Sequence, residues 1–364
     1  MARKASDMGK YLLGIDFTSD EFSDVTFSNQ NFENTYFSAI EDPSIYNNKD
    51  FSDSNLSGAL LAYGEFNGAN FTDANLSKAD LAYGRFNEAN FTGADLTDAD
   101  LSYGSEFNAA NFEGATLTDA DLKGSLFNEA NFEGVNLTEV DLNDDSKFNG
   151  ANFTGADLSK LDLNNGNFKG ANFTGADLTE ADLSYGNFSE ANFKGADFTG
   201  ANLNDVIFSY GAFLNGNDFT GADLSYADLS YGSTFNEADF TDATLTSADL
   251  SYGSEFNAAI FKDATLTDAK LNNNSEFNGA DFTGADLTEA DLSYGSEFDG
   301  ANFTGADLTD AELSYGSQFN KANFSGADLT EADLGALPLF GGDYAYGSQF
   351  NEADFTGADL SFAD

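Results

Sequence analysis

The stretch FNGANFTDANLSKADL, residues 66 to 81, returns a large apolar residue at every fifth position: Phe66, Phe71, Leu76 and Leu81. The order continues through Phe86, Phe91, Leu96 and Leu101, then Phe107, Phe112, Leu117 and Leu122. Five is the period of neither an α-helix nor a flat strand. The internal repeat is therefore read before any local propensity. Two residues of each five are expected to face inward: the large centre, and a small residue two positions earlier, usually alanine (Ala69, Ala74). Asn or Asp precedes the centre, and Ser or Thr and a variable residue follow it.

Two Phe pentads followed by two Leu pentads make a block of 20 or 21 residues. The simplest solid with that rule is a square coil, one pentad per side, each coil stacked on the last. The extra residue of the longer blocks falls just before the first Phe, as "YGEF" (63 to 66) against "YGSEF" (103 to 107) shows. A stacked coil absorbs such an insertion at one corner without shifting its other sides. The centres then form four inner columns, with alanine filling the gaps.

Units such as "ANFTG" (151 to 155) and "ADLTE" (285 to 289) resemble those of the pentapeptide-repeat family over roughly residues 13 to 364. The resemblance implies an all-β fold, a right-handed quadrilateral β-helix of about 16 coils, on the order of 75 Å long at ~4.8 Å per coil. It carries no catalytic residues. Some members protect type II topoisomerases by imitating acidic duplex DNA, so a topoisomerase partner is one expectation.

The expected organisation is a basic tail over 1–12 and a single coil stack over 13–364. Loops near 38–50 and 335–346 and a slip of register near 204–219 interrupt it. Phe17, Phe22, Phe27, Phe32 and Phe37 already keep the period but lack alanine at the inner position, as degenerate terminal repeats do. Pro43 and its neighbours read as a surface loop, after which Tyr46 rejoins the first column. From Phe188 to Phe208 five pentads pass before the next Tyr-Gly pair, and a bulge or bent joint is expected there. After the 335–346 interruption the period resumes at Phe350, Phe355 and Leu360. An uncovered last coil would leave backbone groups unpaired. Phe17, Phe22, Phe350, Phe355 and Leu360 are therefore expected to form an interface in a homo-oligomer joined through terminal coils. A head-to-tail contact propagates unless it closes into a ring.

The chain has no Cys, His or Trp, which excludes disulfides, thiolate or imidazole ligands, and His- or Cys-based triads. With 14 basic and 63 acidic residues its net charge is −49, so direct nucleic-acid binding is not expected. No apolar run approaches a membrane span. The default compartment is cytoplasmic, or extracellular by a non-standard export route. Strictly spaced phenylalanines, 38 of them, argue against disorder.

Two outward rows are candidate sites. Tyr63, Tyr83, Tyr103, Tyr185, Tyr210, Tyr231, Tyr252, Tyr294, Tyr315 and Tyr346 are expected at one corner. They make either a stiffening ladder of rings or a stripe for lateral association. Asp80, Asp100, Asp121, Asp141, Asp162 and Asp182, later Asp228, Asp249, Asp291 and Asp333, are expected to form one acidic column. Like charges ~4.8 Å apart repel by roughly 1 kcal/mol in water. Such a row is expected to hold hard cations such as Ca²⁺ loosely, or to be a solvated face open to a protein partner. No resident cofactor is otherwise implied. Rows of outward threonine (Thr72, Thr92, Thr97) are broken by Glu113, Glu133 and Lys169, which disfavours an ice-binding face. Carboxylate pairs recur everywhere and single out no catalytic site. The leading reading is a non-enzymatic, self-associating structural or interaction protein, and the alternative is the topoisomerase-binding DNA mimic.

Overall fold

The computed structural model describes residues 27–37, 46–140, 142, 146–335 and 347–363. It divides into two compact units, Met1–Asp177 and Leu178–Asp364. Phe17 and Phe22, the loop at 38–45, Asp141 and Tyr346 lie outside the described residues.

One pentad explains the rest. The centre Phe71 begins a four-residue turn that closes when Ala74 N–H donates to the Phe71 carbonyl at 3.0 Å. The third turn residue, Asp73, has φ 55°, which makes the turn type II. That left-handed residue aims its N–H along the stack, at the carbonyl of Thr92 (3.0 Å). Phe71 N–H reaches Asn90 O in the next coil (2.7 Å), and Asn75 N–H reaches Ser54 O in the previous one (2.9 Å). The fifth N–H, that of Thr72, is taken by the Asn70 side chain at 3.2 Å. All five donors of the pentad are thus satisfied, as buried backbone demands. Asn or Asp before the centre is therefore a turn cap.

Each side gives one parallel bridge, at the residue before the centre: Asp50↔Asn70↔Asn90↔Asn111↔Asn131↔Asn152↔Asn172 in the first unit. The centres and small residues at 69, 71, 74 and 76 are buried, as expected. Phenylalanines on one column stack almost parallel: Phe86–Phe107 and Phe107–Phe127 are both 5.0 Å apart, at 7° and 3°. Neighbouring columns meet tilted, as Phe107–Phe112 does at 56°. Full burial stabilises by about 1.5–3 kcal/mol per side chain, and ring pairing adds about 0.5–1.5. Those gains offset the roughly 1 kcal/mol or more that a left-handed non-glycine residue costs. Tyr46 does rejoin the first column: it is buried and stacks on Phe66 at 5.0 Å and 9°.

The inner small slot at the insertion corner takes two forms. In most short coils it is a glycine such as Gly84, whose N–H closes the turn on Leu81 O at 3.1 Å, although the short coil from Phe107 to Phe127 places buried Ser125 there. In long coils Gly104 is the added residue and buried Ser105 takes the slot, its hydroxyl donating to Ser102 O (2.8 Å) and Leu81 O (3.1 Å). Ser233 and Ser254 repeat this in the second unit, on Phe208 O (2.7 Å) and Leu229 O (3.0 Å).

The second unit also explains the irregular stretch. Asn187↔Ile207↔Asp228 places Phe188, Phe208 and Leu229 on one column. Asn192↔Phe213↔Thr234 places Phe193, Leu214 and Phe235 on the next. The six-residue step from Phe208 to Leu214 is taken at a corner, which puts Phe213 outside, 56% exposed. The extra pentad moves the Phe-Phe-Leu-Leu order one side around the square while the backbone ladder continues. Asn217 fills an inner small slot here, and its amide donates to Phe193 O and Ala196 O at 2.5 and 2.7 Å.

Candidate interaction surfaces

The quarter shift splits both outward rows, so neither is the single column that spacing alone implies. Within the second unit, Tyr185 and Tyr226 follow the column of Leu183, Leu203 and Leu224, whereas Tyr210 follows Phe208 on the adjacent one. The tyrosines form separate ladders. Tyr63–Tyr83 and Tyr83–Tyr103 stack at 4.9 and 5.8 Å in the first unit. Tyr210–Tyr231, Tyr231–Tyr252 and Tyr294–Tyr315 stack at 5.2, 4.8 and 4.6 Å in the second. Each occupies the left-handed turn position, with Tyr83 at φ 57° and Tyr252 at φ 56°. Edges and hydroxyls face solvent, and Tyr63 is 64% exposed.

The acidic row divides in the same way. Asp80, Asp100 and Asp121 are bridged in sequence, and Asp162 occupies the same pentad position later in the first unit. Asp182 pairs with Asn202 and then Asp223, not with Asp228, which belongs to the Phe188 column. Most of these carboxylates have one oxygen engaged as a turn cap: Asp100 accepts Ser102 N–H at 3.0 Å, Asp121 accepts Lys123 N–H at 3.0 Å, Asp182 accepts Ser184 N–H at 3.0 Å. Among the described residues no three acidic side chains converge as a metal site. An acidic cleft of about 480 Å³ does occur in the first unit, lined by Asp119, Asp121, Glu139 and Asp162 over Val140 and Leu142.

Two of the crowded carboxylates, Asp80 and Glu312, are raised above the ordinary carboxylate range. Burial, then the Asp100 charge, pushes Asp80 up against the opposing Ala82 N–H. Burial, then Asp291 and Asp333, pushes Glu312 up despite the Ser314 hydroxyl. A carboxyl raised in the folded state contributes stability that is present below its unfolded value and lost as pH rises through the folded one. Asp354 and Asp359 are held low by the Thr356 and Ser361 hydroxyls, and their contribution disappears only below the ordinary aspartate value of 3.8. The melting temperature is therefore expected to rise as pH falls from 7 toward about 4.5. Calorimetry across that range checks this, and a monotonic fall would overturn it.

The apolar period does not point to the buried serines or to the amide ladders. Asn87, Asn108, Asn128 and Asn149 pass hydrogen bonds from coil to coil, at 2.8 Å for Asn108 to Asn87 and for Asn128 to Asn108. Their signal was present: Asn recurs directly after the first Phe centre.

The sequence matches the family described as pentapeptide repeats, in 8 copies whose segments run from residue 50 to 254 and from 273 to 335. The chain belongs to that family and folds as a right-handed quadrilateral β-helix. Among solved structures it is similar to HetL, a pentapeptide repeat protein involved in heterocyst differentiation regulation from the cyanobacterium Nostoc. That match has 24% identity over 78% of this chain and 86% of HetL, with TM-score 0.21. It is similar to full-length QnrB1, a plasmid-mediated fluoroquinolone resistance protein, at 20% identity over 66% and 93%, with TM-score 0.28. Rfr23 from the cyanobacterium Cyanothece matches at 21% identity over 46% and 87%, with TM-score 0.17. No curated protein matched. No helix of the described residues is long and apolar enough to cross a membrane.

Proposed function

We propose that the chain is a non-enzymatic interaction protein, an acidic β-helix that self-associates by adding one coil onto another. The observation that supports this is how one coil meets the next: Phe319, Phe324 and Leu329 donate their N–H groups to Gln349, Asp354 and Asp359 at 2.7, 2.7 and 2.8 Å, and Phe319 and Phe324 stack on Phe350 and Phe355 at 5.0 and 4.9 Å. Parallel addition of another copy's coil would use the same ladder and the same ring stacking.

Sedimentation and negative-stain imaging across protein concentration, with and without millimolar Ca²⁺, test the reading. Concentration-dependent mass, as filaments or as closed dimers, is expected. Promotion by Ca²⁺ would assign the acidic rows a loose cation-binding role. The double variant Phe355→Asp/Phe362→Asp is expected to remain monomeric with its circular dichroism unchanged. A monomer in every condition would overturn self-association. The alternative, a DNA mimic acting on a type II topoisomerase, is supported by charge and by the family resemblance alone. Inhibition of gyrase supercoiling by the monomer would favour it.

A further inference from the structure

The tyrosine ladder of the second unit has a gap. Successive centres Leu250, Leu271 and Leu292 are each followed two positions later by Tyr252, Asn273 and Tyr294. The backbone does not change at the gap, because Asn273 keeps the left-handed φ of 59°. Its side chain does not fill the space: the Asn273 amide donates to Asn272 Oδ1 at 2.7 Å. Two rungs at ~4.8 Å separate the flanking rings by about 10 Å, room for a planar group stacked against Tyr294. From the gap a cleft of about 420 Å³ runs along the corner, over Gly295, Gly316 and Gly347 and beside Tyr294 and Tyr315.

One flank of this corner is uncompensated charge. Glu255, Glu276 and Glu297 are stacked on consecutive rungs. Each accepts an asparagine amide, from Asn236, Asn257 and Asn278 at 2.9, 3.0 and 3.1 Å. None has an ion pair among the described residues. The opposite flank carries its own cation, Lys270, between Asp249 and Asp291. The first unit shows what such a glutamate column accommodates. There Arg85 sits on the rung between Glu65 and Glu106, at 3.4 and 3.5 Å.

We propose that this edge binds an arginine-bearing cationic segment of a partner protein, with one guanidinium stacked on Tyr294 in the Asn273 gap and paired to Glu276. A guanidinium is planar, stacks flat on aromatic faces and donates to carboxylates in a fork, whereas an ammonium is a compact point charge with no plane to stack and no fork. The glycine floor lets the segment's backbone lie close. The inference does not depend on self-association through the terminal coil.

Two amidated peptides, four Gly-Arg repeats and four Gly-Lys repeats, are titrated calorimetrically into the full chain at 0.15 M salt. The arginine peptide is expected to bind roughly tenfold more tightly. Asn273→Tyr closes the gap without changing charge or backbone, and is expected to bring the two affinities together while the melting temperature holds or rises. Glu276→Gln is expected to weaken the arginine peptide more than the lysine peptide. Equal affinities for the unaltered chain would show charge attraction alone and overturn the proposal. So would an arginine preference that survives Asn273→Tyr.

Discussion

Phe107→Ala is expected to cost about 3–5 kcal/mol, and to cost it locally. Phe107 is fully buried between Phe86 and Phe127, and also meets Phe91 and Phe112 at 6.0 and 5.8 Å. Its removal leaves a cavity the size of a ring. The fixed coil spacing prevents that cavity from collapsing, because the neighbouring backbones are already tied at 2.7 Å through Phe107 N–H to Leu126 O. In a stack each coil contacts only the ones beside it, so the loss should open nearby coils before the whole chain unfolds. Hydrogen exchange read by mass spectrometry is expected to show faster exchange around residues 86–132 and little change beyond residue 200. A loss under about 1 kcal/mol, or protection lowered uniformly, would contradict the columnar account.

The second large effect separates two glycines that look alike in sequence. A methyl group on Gly84 would lie 2.5 Å from the Phe86 ring and 2.9 Å from the Leu81 carbonyl. The ring cannot retreat, since Phe66 stacks on it at 5.1 Å. Gly84→Ala is expected to destabilise by about 3 kcal/mol through overpacking. Gly104 follows a tyrosine in the same way, yet a methyl there meets nothing within 4 Å and only its φ of 80° opposes it. Gly104→Ala is expected to cost about 1 kcal/mol. Urea midpoints of the two variants decide the matter. Equal losses would mean that the inner slot is not what demands glycine at position 84.

These cases show how much a period can reveal. Phe71 with Ala69 and Ala74 declares a four-sided core, because only an inward position tolerates so little variety. The corner insertion was legible too, from Gly64 against Gly104. Where the rows run was not. Spacing assigns Tyr185 and Tyr210 to one corner, since each lies two residues after a centre, but a single extra pentad moves them to adjacent sides. The extra pentad from Phe188 to Phe208 is legible in the sequence as a slip of register, but only the bridges reveal that it carries the rows to the next side. The aspartates misled for another reason. Asp100 and Asp121 read as a charged column, yet their first task is to satisfy the N–H groups of Ser102 and Lys123. Asparagine does the same for Thr72 without charge. The geometry demands an oxygen there, and which of the two residues supplies it is left to the surface.

The quarter shift near Phe208 has a consequence for how such a chain diversifies. Gene slippage commonly adds or removes short in-frame segments, and in most folds the result is scrap. Here an added pentad is grammatical: the ladder reads on, the core stays filled, and everything downstream is dealt to the next wall. One slippage event can therefore redistribute a whole pattern of exposed side chains at once, offering selection a new face without a single point mutation.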